Sequence, residues 1–172
     1  MRLAYEESFA RLRELADIMG EPRPIVTGPP RYDDDELGPT FFRMLVKDMS
    51  LENLTVPGLF VGRSEILRVS FRGTDLRLST FNWSNLSDCD FRDVDFSGAD
   101  LRACIFVRCS FVRANLADTD LRVSTFEGCS FDGAFVRGMK LCSRSDQKHL
   151  PLSREQQSEV NWLVDAAEPG GG

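Results

Sequence analysis

The sequence predicts an all-β chain, a column of stacked four-sided coils, and two observations carry that prediction. Every fifth residue from Phe71 to Phe131 is Phe or Leu: Phe71, Leu76, Phe81, Leu86, Phe91, Phe96, Leu101, Phe106, Phe111, Leu116, Leu121, Phe126 and Phe131. Two places before each of them, from Val69 and Thr74 through to Ser124 and Cys129, stands Val, Thr, Ser, Cys or Ala. With Phe and Leu making up about a fifth of the chain, a chance run of this length has odds of about one in 10⁹ per register. A helix repeats every 3.6 residues and a strand every two, so neither turns each fifth residue toward one core. A coil whose sides are five residues long does. The large residue fills the centre, the small one fits near the corner, and the other three positions face solvent, where Asp, Asn, Ser, Arg and Gly predominate.

Taken in order, residues 3–19 read as an amphipathic helix, with Tyr5, Phe9, Leu12, Ala16 and Met19 on one face and Gly20 as its stop. Residues 21–39 read as a linker rich in proline, ending in the acidic run Asp33, Asp34, Asp35 and Glu36. Consecutive carboxylates point apart and repel, so that run reads as a solvated loop rather than a cation site. Residues 40–49, with Phe41, Phe42, Met44, Leu45 and Met49, read as a short helix or a first irregular coil.

The five-residue phase then holds without insertion from Leu51 to Leu141. These nineteen units give just under five coils, a column of roughly 23 Å at the spacing of parallel strands. Residues twenty apart stack, so Phe71, Phe91, Phe111 and Phe131 form one ladder. Residues 142–172 leave the period. Ser153 and Gln156 form a capping box that opens a second amphipathic helix, with Val160, Leu163, Val164 and Ala167 on one face to close the column's end. The expected organisation is therefore 1–50 as N-terminal helix, linker and cap, 51–141 as the β-helix, and 142–172 as capping helix and mobile tail.

Units such as Ala99-Asp100-Leu101-Arg102-Ala103 and Ala114-Asn115-Leu116-Ala117-Asp118 resemble the A(D/N)LXX motif of pentapeptide-repeat proteins. The resemblance covers residues 51–141 and implies a right-handed quadrilateral β-helix. Known members are binding or mimicry modules, and some resemble a DNA duplex in shape and charge and protect type II topoisomerases from poisons.

Composition narrows the function. No apolar run reaches the length of a membrane span. Glu6, Glu7 and Glu14 interrupt any signal-peptide core, and five cysteines, an odd number, fit a reducing compartment, so a cytoplasmic protein is expected. The net charge of −6 is spread along the chain, and residues 51–141 carry 12 acidic and 11 basic side chains. That near-neutral coil disfavours direct nucleic-acid binding. No catalytic motif appears, and His149 stands without a partner to orient it, so neither an enzyme nor a cofactor is expected. Cys89, Cys109 and Cys129 share an inward column beside that of Cys104 and read as small buried hydrophobes rather than metal ligands.

Function is expected at the outward positions. Asp75 stacks under Asp95 and Asp100 under Asp120, the candidate carboxylates of a duplex mimic, but Arg72, Arg92, Arg102 and Arg122 stack beside them. Trp83, Ala103 and Val123 form an outward apolar column next to Ile105 and Val107. Such a patch is either an interface or a surface covered by the N-terminal segment. Leu78, Val112 and Phe135 are scattered. The reading is a rigid protein-binding module of target-neutralising or immunity type, its partner unidentified, with self-association to be tested. Duplex mimicry at a type II topoisomerase is the alternative.

Overall fold

The computed structural model describes residues 1–16, 40–142 and 150–163. Helix α1 (Tyr5–Ala16) precedes strands β1 (Thr40–Phe42), β2 (Leu45–Ser50), β3 (Phe60–Gly62), β4 (Glu65–Ser70), β5 (Asn85–Ser87), β6 (Ile105–Val107), β7 (Thr125–Glu127) and β8 (Lys140–Cys142). Helix α2 (Arg154–Glu159) and strand β9 (Asn161–Leu163) follow. Pairing is parallel and, through the coil, in a register of twenty residues, from Thr40↔Phe60 to Asp120↔Lys140. One turn is thus four pentapeptides, and the column is the β-solenoid the period implies.

The four sides of one turn carry Phe71, Leu76, Phe81 and Leu86. The Phe71 side stacks Leu51, Phe71, Phe91, Phe111 and Phe131, with ring centroids 4.9–5.2 Å apart along the phenylalanines. The Leu76, Phe81 and Leu86 sides stack their own spines, and T-shaped contacts such as Phe106–Phe111 lock side to side. Twelve of the thirteen expected core residues are fully buried. Phe126, in the last layer of the Leu86 side among the described residues, is partly buried. Each such burial is worth ~1.5–3 kcal/mol, which lets this spine hold a fold with little helix.

The small inward residues also bond. Thr74 donates to Leu51 O at 2.6 Å, Ser124 to Leu101 O at 2.6 Å and Thr119 to Phe96 O at 2.8 Å, each reaching 23 residues back. Cys89, Cys109 and Cys129 fill the same slot and point their thiols at the same class of carbonyl. Small size and a donor together explain why Ser, Thr and Cys recur there.

The corners have one backbone solution. Every fifth residue from Arg43 to Gly138 has a positive φ, between +51° and +74°. A left-handed residue interrupts strand alternation, placing two outward residues in succession before the chain points inward again. That accounts for inward residues spaced alternately two and three apart.

The two ends add to the sequence reading. Of the two alternatives for residues 40–49, a short helix or a first coil, the structure has the coil: β1 and β2 lie on β3 and β4, with Phe41 and Val46 buried in phase. The column therefore begins some ten residues before Leu51. The phase was hidden because Pro39 and Met44 replace the small residue two places before. At the other end the capping box is present, with Ser153 Oγ accepting from Gln156 N at 3.1 Å. The expected amphipathic helix stops at Glu159, however, and Asn161–Leu163 turn extended to pair with β8. Asn161 N donates to Met139 O at 2.8 Å and Gly138 N to Glu159 O at 2.9 Å. A strand there satisfies open backbone groups that a longer helix would leave unpaired. Val164, Ala167, His149 and the Asp33–Glu36 run lie outside the described residues.

Candidate interaction surface

Side chains at outward positions fall into two chemistries, and the backbone sorts them. On three sides the residue before the spine residue is often Asp. Asp75, Asp90, Asp95, Asp100 and Asp120 each accept a hydrogen bond from the backbone N–H two residues on, at 3.0–3.2 Å. That local bond closes a turn and draws the side inward. On the Leu86 side the equivalent residues are Leu45, Glu65, Asn85, Ile105 and Thr125, and the chain runs extended. Strands β2, β4, β5, β6 and β7 make one five-stranded parallel sheet there.

The turn carboxylates are also tied to arginine. Arg77 bonds Asp75 at 2.8 Å, Arg102 bonds Asp100 at 2.6 Å and Arg122 bonds Asp120 at 2.6 Å, all within one pentapeptide. Burial opposes the charge on Asp75, Asp90 and Asp120, and the arginine two residues on outweighs it, holding each carboxyl below its ordinary range. Asp95 accepts from Ser97 N and from Asn115 Nδ2, both at 3.0 Å. At the corners a second set runs between coils, Asp88–Arg108 at 2.6 Å and Asp93–Arg113 at 2.7 Å, where the arginine hydrogen bond pulls the carboxyl down. The structure stacks Asp75 on Asp95 and Asp100 on Asp120 as expected. Three of the four face an arginine, and the side chain of Asp75 is only 4% exposed.

The apolar residues stand apart from these ladders. Trp83, Ala103 and Val123 occupy successive layers of the corner between the Phe81 and Leu86 sides, with φ of +56°, +55° and +63°. Trp83 N donates to Arg102 O and Ala103 N to Arg122 O, which holds one layer directly on the next. Ile105 opens β6 and Val107 closes it on the adjoining sheet face. Trp83 is 66% exposed, Val123 60% and Ile105 48%, while Ala103 and Val107 are half-buried. The five residues singled out in the sequence thus share one corner and the sheet beside it.

Residues 1–16 of the N-terminal segment dock elsewhere, and the linker, residues 21–39, lies outside the described residues. Leu3 N donates to Asn53 O at 2.7 Å, Thr55 N to Ser8 Oγ at 2.8 Å and Arg2 Nε to Gly73 O at 2.8 Å. Asn53 and Gly73 belong to the corner between the Phe71 and Leu76 sides, diagonally opposite Trp83. Leu12 of α1 is buried in the core cluster. Among the described residues nothing lies over the patch.

The sequence reading missed two residues of this corner. Arg63 and Arg43 lie twenty and forty residues before Trp83 in the same left-handed column. Arg63 was within reach of the twenty-residue repeat, whereas Arg43 becomes visible only once the coil is known to start at Thr40. The cysteines carry no separate chemistry. Burial pushes the Cys104 thiol up to about 12. Among the described residues no group of His, Cys, Asp and Glu is placed to hold a metal ion, and no helix is long and apolar enough to cross a membrane.

The chain matches the family described as Pentapeptide repeats in eight copies, over residues 67–93, 95–133 and 104–141. Among solved structures it is similar to HetL, a pentapeptide repeat protein involved in heterocyst differentiation regulation from the cyanobacterium Nostoc sp. strain PCC 7120. The TM-score is 0.56 at 16% identity, over 58% of this chain and 48% of HetL. It is also similar to QnrB1, a plasmid-mediated fluoroquinolone resistance protein, with a TM-score of 0.41 at 14% identity over 74% of this chain and 62% of that one. A third is a pentapeptide repeat protein from the Arabidopsis thaliana thylakoid lumen, with a TM-score of 0.32 at 22% identity over 69% and 81%. The chain spans about half the length of HetL. No curated protein matches it.

Proposed function

The column belongs to the pentapeptide-repeat family, and from that premise we propose that this chain is a rigid binding module that recognises a protein through the corner of Trp83, Ile105 and Val123. It acts by presenting a preformed face, with little ordering cost on binding and no chemistry of its own, and it neutralises or protects its target. One observation carries the reading. Apolar side chains stack in three successive layers at left-handed corner positions, Trp83, Ala103 and Val123, where Gly, Asn or Asp fits without strain and solvent gives Trp or Val no return, whereas Leu78 stands alone in its column. Duplex mimicry has less support, because a mimic needs free carboxylates and three of the four candidates here are held by arginine.

The test pairs two corner variants. Trp83→Ala should leave the melting temperature nearly unchanged and abolish capture of the partner from the native cell. Leu78→Ala, at another exposed corner, should leave both intact. Undiminished capture by Trp83→Ala, or a loss of stability equal to a core variant's, would remove the patch from the interface.

A further inference from the structure

The same corner carries charge as well as apolar surface. From one end it reads Arg43, Arg63, Trp83, Ala103, Val123, one residue per layer. Elsewhere on the coil the arginines, Arg137 apart, lie against carboxylates, as in the Asp75–Arg77 and Asp88–Arg108 pairs. Among the described residues Arg43 and Arg63 make no ion pair. The guanidinium of Arg43 sits 5.5 Å over the ring of Phe42, and Arg63 is exposed. In a chain of net charge −6 whose other coil arginines, Arg137 apart, are neutralised, two cations without an ion pair among the described residues stand in line with the exposed Trp83 and form a directional surface. The ridge is cationic at its first two layers and apolar at the next three. Four layer steps span about 19 Å, the length of about six extended residues.

Resting on the reading above, we propose that the partner presents a short peptide segment with carboxylates at one end and apolar side chains at the other. It lies along this ridge with its acidic end on Arg43 and Arg63 and its apolar end on Trp83, Val123 and Ile105. Charge complementarity selects the acidic end and sets the direction of docking. The aliphatic members of the ridge offer no stacking platform for bases, and the acidic chain repels a phosphate backbone, so a peptide fits the surface better than a single-stranded nucleic acid.

The experiment uses the full chain carrying Trp162→Phe, which leaves Trp83 as the one tryptophan, with folding checked by circular dichroism. The probe is a synthetic hexapeptide of two glutamates, a serine and three leucines. Its binding should shift Trp83 emission to the blue and saturate. Arg63→Glu should weaken that binding at least tenfold, Arg137→Glu should leave it unchanged, and the peptide with lysines for glutamates should not bind. Equal binding of the lysine peptide, or by Arg63→Glu, would overturn the acidic assignment while leaving an apolar interface standing. Absence of any Trp83 response to the glutamate peptide would overturn it too, as would a response to an oligothymidylate alone. Failure of the interface itself reads out separately, as undiminished capture by Trp83→Ala.

Discussion

At the scale of single residues, the corner decides what each position costs. A left-handed φ costs an ordinary L-residue roughly 1–2 kcal/mol, least for Asn and Asp and most for β-branched side chains. The chain meets this with Gly at Gly73 and Gly98 and with Asp at Asp88 and Asp93, yet places Val at Val123, φ +63° and 60% exposed. Val123→Asn should therefore raise stability by about 0.5–1 kcal/mol in chemical denaturation, because strain is relieved and little buried surface is lost. The same variant should weaken partner capture. A stability loss instead would mean that the Val123 side chain packs more than its exposure implies.

Element by element, the turn sides and the strand side differ at the residue before the spine. Asp there folds its carboxylate onto the N–H two places on and reinforces a turn, as at Asp90 and Asp120, although Phe135 precedes a turn as well. Ile105 opens the extended β6. The Leu86 side is a five-stranded sheet beside which exposed apolar groups gather. The closing helix works through one side chain. Gln156 Oε1 accepts from Ser153 N at 2.9 Å, while its Nε2 donates to Phe131 O and Ala134 O, both at 2.9 Å. It caps the helix and seals two carbonyls of the last coil together. Gln156→Ala should cost about 2 kcal/mol in urea unfolding, against about 1 kcal/mol for Ser153→Ala, which removes only the cap. Equal losses would show that the seal on the coil contributes nothing.

Over the whole molecule, stability is a stack of near-identical layers, each contacting only its neighbours. Phe111 lies in the middle of the ladder, 5.2 Å from Phe91 and 4.9 Å from Phe131, with Phe106 and Phe126 edge-on. Phe111→Ala should cost ~3–5 kcal/mol by thermal or chemical unfolding, because rings stacked above and below cannot collapse into the gap. A loss below about 1 kcal/mol would mean that the ladder yields. Charge is likewise organised at this scale. Paired Asp and Arg line the corners of Asp88–Arg108 and Asp93–Arg113, whereas the Trp83 corner stacks exposed apolar residues in successive layers.

The five-residue period determined the coil, its twenty-residue register and its buried spine, because a rule repeated at every layer leaves one way to pack. It also placed Trp83, Ala103, Ile105, Val107 and Val123 near one another, since residues twenty apart must stack. The ends were not legible, because there the rule is broken. Pro39 and Met44 hid the first layer, and a one-residue shift of phase, Leu141 to Trp162, hid the last. An amphipathic pattern after Ser153 satisfies a helix and a strand alike, and only the open edge of β8 chose the strand. Where the N-terminal segment docks was also beyond the sequence. Ser8, Leu3 and Arg2 found backbone partners at Thr55, Asn53 and Gly73 on the opposite corner, and among the described residues none covers Trp83. The sequence determines which residues face outward. Which of them stay uncovered depends on where the rest of the chain finds its hydrogen bonds, and that is settled only in three dimensions.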